Sequence, residues 1–133
     1  MSYQKGYRRE LELITELEKE GFATMRSPAS GKGGKSPDGT EREQPDIIAG
    51  NGESFYGIES KASTRETHIY IPIEEVDDLI YFCKKFGLKP RIGARYDYND
   101  FAFFKPEELY QTEKSYRITL EDIESAEHIS DLK

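Results

Sequence analysis

With 133 residues, 35% of them hydrophobic and 34% charged, the chain is sized for one domain around one core, so fold and function share the same scaffold. Nine Tyr and seven Phe argue against disorder, and no apolar run reaches the roughly 18 residues that span a membrane. The net charge of −7 tells against a uniformly basic nucleic-acid binder, yet residues 1–65 hold 10 Lys and Arg against 11 Asp and Glu while residues 66–133 hold 9 against 15, which leaves a local basic face open to the first half.

The N-terminal residues Met1 to Gly6 lack the apolar core of a signal peptide, so a cytoplasmic protein is expected. Tyr7, Leu11, Ile14 and Leu17 recur at helical spacing and predict a helix over 7–20, stopped by Gly21. Phe22 to Arg26 reads as a short strand. Residues 27–45, rich in Gly, Ser, Pro and charge, read as a long loop of the kind that is functional or mobile. Its glycines lack the spacing of a phosphate-binding P-loop. Asp46 to Ala49 and Ser54 to Ala62 flank Asn51-Gly52, a strong hairpin signal. His68 to Ile71 is a further strand, ended by Pro72. Residues 73–86 form a second amphipathic helix, with Val76, Leu79, Ile80 and Phe86 on its apolar face, Tyr81 to Cys83 beside them and Gly87 as its stop. Cys83 is the single cysteine, cannot form an internal disulfide, and reads as a small core residue. Arg91 to Tyr96 and Phe101 to Phe104 are the last strands. From Pro106 onward a tail carries a short helix near Thr119 to Ala126. The order α, β, hairpin, β, α, β, β is a mixed α/β layout. One domain over 1–133 is expected, with its core at about 5–104 and the tail at 105–133.

Three acidic positions break their local patterns. Glu10 extends the apolar face made by Leu13, Ile14 and Leu17, where a carboxylate is costly unless paired or bound to a cation. Its plain alternative is a first-turn glutamate favoured by the helix dipole. If the hairpin turns near Gly52, Asp46 falls opposite Ile58, and a loop one residue longer sets Asp46 directly against Glu59. Like charges across a hairpin destabilise it, and a divalent cation between them relieves the repulsion. Lys61 follows Glu59 by two residues and so shares its strand face. An ammonium there can orient the attacking water or steady charge on a phosphate. Taken alone, Glu59 and Lys61 also fit a solvated strand face. His68 and His128 form no metal-ligand spacing and no triad with Cys83, and read as structural or surface residues. The Phe101 to Phe104 aromatics and the face of the second helix fit a core or a dimer interface, the core being favoured.

Pro45-Asp46 followed by Glu59-Ser60-Lys61 resembles the PD-(D/E)xK nuclease signature. Lys5-Gly6, Arg9-Glu10-Leu11, Glu20-Gly21-Phe22-Ala23, Arg26-Ser27, the run from Pro45 to Gly52, Ile58 to Lys61 and the helix end at Phe82 to Gly87 narrow the resemblance to the archaeal Holliday-junction resolvases. It covers about Lys5 to Phe104. The resemblance implies a restriction-endonuclease-like mixed central β-sheet flanked by helices. It implies a homodimer that nicks four-way junction DNA symmetrically in recombination and repair, as a Mg²⁺-dependent endodeoxyribonuclease in which Mn²⁺ can substitute, with no small-molecule cofactor. Glu10, Asp46, Glu59 and Lys61 carry over as the active site. Ser30 is the match to a loop serine of that family, although the loop here is longer than the family's. Glu10, Asp46, Glu59 and the Ser60 carbonyl are the implied metal ligands. Lys5, Arg8, Arg9, Arg26, Lys32, Lys35 and Arg65 are candidate contacts to the DNA backbone. The competing expectations are another PD-(D/E)xK endonuclease of restriction or repair type, a non-catalytic DNA-binding paralogue, and a protein-interaction module resting on the acidic stretch 107–131.

Overall fold

The computed structural model describes residues 2–27, 32–35, 41–64, 67–97 and 99–132, with side chains described for all of these except 2–7, 32–35 and 41. In chain order, α1 (Ser2–Lys19) leads to β1 (Ala23–Arg26), β2 (Lys32–Lys35), β3 (Glu41–Glu43), β4 (Ile47–Gly50), β5 (Phe55–Ser63) and β6 (Ile69–Pro72). Then come α2 (Ile73–Phe86), β7 (Lys89–Tyr96), β8 (Ala102–Phe104), β9 (Tyr110–Gln111), β10 (Ser115–Ile118), α3 (Leu120–Ser125) and β11 (Glu127–His128). The central sheet has six strands in the order β1-β4-β5-β7-β8-β11. Only β5 and β7 run parallel, because the chain between them crosses over through β6 and α2.

Two apolar layers sandwich this sheet. On one face Leu13 and Leu17 of α1 pack against Phe22, Ile47, Ile58 and Phe103. On the other, Val76, Leu79 and Cys83 of α2 meet Ile92, Ala94 and Tyr96 of β7, with Ile69 and Ile71 of β6 and Ile118 of β10. The alternation along β5 follows from this. Ile58 turns to the α1 side, while Gly57, Glu59 and Lys61 turn to the α2 side. A Cβ on Gly57 would stand 2.5 Å from Cys83 Sγ. Glycine at that position lets α2 lie close on β5.

Several expectations are met and others corrected. α2 spans the predicted residues, and Gly87 closes it in the left-handed region, its N–H donating to the Cys83 carbonyl. Ile80 and Phe86, assigned from periodicity to its apolar face, are 39% and 62% exposed. The buried stripe runs through Val76, Leu79 and Cys83 instead. The stretch 27–45 is not wholly loop, since β2 and β3 pair with Lys32 opposite Glu43 and Lys35 opposite Glu41. No apolar alternation announced this hairpin. The short helix near 119–126 is α3, capped by Thr119, whose side chain accepts the Asp122 N–H. The stretch after Pro106 is built into the fold. β10 pairs with β6, β11 adds to the central sheet beside β8, and Leu109, Ile118, Ile123 and Leu132 are buried.

Candidate active site

In the β4–β5 hairpin Ile47 pairs with Ile58 and Gly50 with Phe55. This is the longer-loop register, and continued by one residue it sets Asp46 across from Glu59. Asp46 directly precedes β4, held by Ser27 N–H donating to its carbonyl at 2.9 Å. Its side chain accepts the Ser60 N–H at 2.8 Å. The Ser27 hydroxyl donates to the Pro45 carbonyl, tying down the turn that delivers Asp46. Glu59, at the middle of a central strand, is 8% exposed.

Both carboxylates are held well above the ordinary range. Burial is the main cause at Asp46, raised to about 6 against the favourable Ser60 hydrogen bond, with nearby Glu10 adding to the rise. Burial also leads at Glu59, raised to about 9, and the Asp46 charge comes second. Lys61 extends from the same face of β5. Its Nζ lies 4.0 Å from Glu59 Oε2 and 2.7 Å from Glu75 Oε1. Burial works against its charge, but Glu75, Glu59 and Asp46 together raise its pKa above the usual lysine value.

Two members of this cluster are absent from the sequence-based set. Glu75, in the first turn of α2, and Glu43, in β3, stand beside Glu59, with one ligand oxygen from each of the three within 4.8 Å of the others. Such a set of carboxylates is able to hold a metal ion. An all-oxygen donor set suits a hard divalent cation, and buried acids held above their ordinary pKa are what such a cation would ionise. Glu43 is carried there by the β2–β3 hairpin docking on α2. Its N–H donates to Asp78 Oδ2 at 3.1 Å, and the Arg42 guanidinium lies 4.1 Å from the centre of the Tyr81 ring.

Glu10 lies near enough to influence Asp46, but its carboxylate is engaged by Arg26 Nε at 2.8 Å. The structure therefore brings Asp46, Glu59, Ser60 and Lys61 together and sets Glu10 at their margin, paired to a residue expected on the DNA. Arg8 is exposed and Arg9 half-buried. Lys5 belongs to α1, and Lys32 and Lys35 to β2, with their side chains outside the described part. Ser30 and Arg65 lie outside the described residues. His68 and His128 are both exposed. Among the described residues no helix is long and apolar enough to cross a membrane.

The family model of the archaeal Holliday junction resolvases matches residues 1–133. A crossover junction endodeoxyribonuclease, Hjc, of Archaeoglobus fulgidus is 36% identical over 114 residues, which is 86% of this chain and 78% of the relative. The enzyme of the same name from Methanocaldococcus jannaschii is 36% identical over 116 residues, 87% and 77% of the two chains. That of Sulfolobus acidocaldarius is 33% identical over 129 residues, 96% and 85%. The solved structure of Archaeoglobus fulgidus Hjc, described as a Holliday junction resolvase from an archaeal hyperthermophile, superposes with a TM-score of 0.79 at 31% identity. That match covers 93% of this chain and 96% of the other. The fold is accordingly restriction-endonuclease-like, and the chain belongs to the archaeal Holliday junction resolvase family.

Proposed function

We propose that this protein resolves four-way DNA junctions by hydrolysing two phosphodiesters, one in each of two symmetric strands, with Asp46, Glu59 and Lys61 at the centre of each site. The observation that carries the reading is the placement of half-buried Asp46 opposite buried Glu59 across one hairpin, with Lys61 on the same strand face. Asp46, Glu59 and the Ser60 carbonyl would hold Mg²⁺, or Mn²⁺ in its place. When bound there, such an ion supplies charge neutralisation at the phosphate and lowers the pKa of water. Lys61 donates to the attacking water or to a non-bridging phosphate oxygen, where negative charge grows in the transition state. Glu10 acts at the edge of the site, orienting water beside Asp46 once Arg26 turns to the DNA backbone. The 3′ oxygen leaves, and no covalent bond to the protein forms.

Arg8, Arg9 and Arg26, with Lys5, Lys32, Lys35, Arg65 and Ser30, are proposed to meet the DNA backbone or the scissile strand. Such contacts position the substrate without reading its sequence. Junction selectivity then comes from two sites at a fixed spacing in a homodimer. Support for a dimer comes from a shallow groove where Met25 of β1, Ile48 of β4, and Phe82 and Phe86 of α2 meet, lined also by Arg26, Ser27 and Gln44. Met25 is 67% exposed and Phe86 62%, and the rings of Phe82 and Phe86 stack with centroids 5.2 Å apart. A cytoplasmic location fits an enzyme that acts on DNA.

The test compares a synthetic four-way junction, a linear duplex and a supercoiled plasmid at equal enzyme, with and without Mg²⁺. Mg²⁺-dependent paired nicking of the junction is expected. Preference for the linear duplex would instead assign the site to a restriction- or repair-type endonuclease. Junction binding without cleavage would make the chain a DNA-binding relative of the nucleases.

A further inference from the structure

Lys61 carries four rotatable side-chain bonds, and an ammonium on such a stem stays where its acceptors hold it. Of the two carboxylates within 4.0 Å of its Nζ among the described residues, Glu59 is the farther, at that distance, and Glu75 is the nearer, at 2.7 Å. Glu59 is also committed elsewhere in the reading above, as a ligand for the divalent ion. Once its oxygens serve a cation they are poor acceptors for an ammonium, and the bond to Glu75 is what remains.

Glu75 reaches Lys61 because of how α2 is seated. The carboxylate lies in the first turn of a 14-residue helix, and the C-terminal half of that helix rests on β5 where Gly57 leaves room for Cys83. Val76, Leu79 and Cys83 are buried in one core cluster with Ile69 and Ile71 of β6 and Ile92 and Ala94 of β7, so Glu75 sits on a rigid element. The side chains of Lys61 and Glu75 are only 26% and 24% exposed. This is a partly desolvated pair, unlike the open surface pairs whose worth is small. Its neighbour Glu74 is exposed and serves as an internal comparison.

We infer that Glu75 is a positioning residue for the cleavage reaction, holding the Lys61 ammonium toward the scissile phosphate from α2. The inference rests on the nuclease reading of Asp46, Glu59 and Lys61. A group misplaced by about an ångström costs a reaction on the order of a hundredfold, and that is the loss expected when Lys61 is released.

The experiment measures single-turnover cleavage of a synthetic four-way junction across a Mg²⁺ titration, and junction Kd by fluorescence anisotropy with Ca²⁺ in place of Mg²⁺. The proteins are wild type, Glu75→Ala, Glu75→Gln and Glu74→Gln. Expected is a maximal rate on the order of a hundredfold lower for Glu75→Ala, with junction Kd and half-saturating Mg²⁺ unchanged. Glu75→Gln keeps an acceptor oxygen of the same reach and recovers part of the rate, so its rate falls between the two. Glu74→Gln cleaves like wild type. If Glu75→Ala does not fold, Glu75→Gln carries the test with the same three readouts. A wild-type rate in the Glu75 variants overturns the inference. A rate restored by extra Mg²⁺ overturns it by making Glu75 a metal ligand alongside Glu43 and Glu59. A loss of Kd in step with the rate overturns it by making Glu75 a determinant of DNA binding. Failure of the wild-type enzyme to cleave the junction is a separate result, and strikes the nuclease reading itself.

Discussion

Buried Glu59 lies across the β4–β5 ladder from half-buried Asp46, and the Asp46 charge adds to burial in raising the proton affinity of Glu59. This pairing couples stability to pH. Asp46 moves from 3.8 to about 6 and Glu59 from 4.5 to about 9 on folding without metal. Both groups bind protons more tightly in the folded chain, so their contribution is complete below the unfolded values and is lost as pH rises through the folded ones. The metal-free protein is therefore expected to lose thermal stability as pH rises from about 4 to about 9. Glu59→Gln should raise Tm in EDTA at the alkaline end and flatten the profile. Mg²⁺ should stabilise the wild type most where the site is otherwise weakest, because binding releases protons. Thermal unfolding with EDTA and with Mg²⁺ across this range checks all three. A flat wild-type profile in EDTA would count against the buried acidic pair.

Asp46→Asn is expected to separate binding from chemistry. The amide fits the same space and can still accept the Ser60 N–H, so the hairpin should persist. It removes an anionic ligand, and several kcal/mol of transition-state stabilisation correspond to roughly a thousandfold in rate. Junction Kd should hold or improve, since a negative charge near phosphate has been removed. Gel-shift titration and single-turnover cleavage on the same junction measure the two quantities, and retained cleavage would remove Asp46 from the site.

Gly57→Ala tests the seating of α2. The new methyl would meet Cys83 Sγ at 2.5 Å and carbon atoms of Leu88 and Pro45 at 3.3 Å. Overpacking of this kind costs about 1–3 kcal/mol. It should also lower cleavage, because α2 carries Glu75 and moves away from β5. Cys83→Ala removes the sulfur that the methyl strikes, so the double variant should regain stability and rate together. Denaturant midpoints and cleavage rates for the four proteins form a cycle; additive losses would show that the helix and strand do not meet as described.

Where a residue's role followed from chain periodicity, it could be read before any coordinates. Asn51-Gly52 located the hairpin, and the two-residue period put Glu59 and Lys61 on one face. The exact register was open by one residue, and the longer loop is the one found. Glu75 carried the same signal that singled out Glu10, a carboxylate continuing an apolar stripe, here that of Val76, Leu79 and Cys83. It could have been found in that way. Glu43 could not, since β2 and β3 have no apolar alternation and their pairing is visible only in the backbone register. The short strands β9 and β11, two residues each, are too brief to leave a period. Periodicity also misjudged Ile80 and Phe86, because an apolar helix face looks the same whether it meets the core or another surface.

That ambiguity leads to the prediction for Phe82 and Phe86. Their rings stack beside Met25 and Ile48, and Met25 and Phe86 are exposed among the described residues. If a second copy covers this groove, Phe82→Ala/Phe86→Ala should shift the protein from dimer to monomer in sedimentation equilibrium. Substitution of exposed residues away from the core changes monomer stability by only about half a kcal/mol, and the half-buried Phe82 sets the upper part of any change. The catalytic residues are untouched, so single nicks should continue. Two nicks within one bound complex should not, because the second site is gone. A supercoiled plasmid bearing an extruded cruciform distinguishes these outcomes directly: coordinated cleavage gives linear DNA, and isolated nicking gives open circles. The double variant is expected to convert the product from linear to open circular while keeping Mg²⁺ dependence. A variant that stays dimeric and still linearises the plasmid would place the interface elsewhere on the molecule.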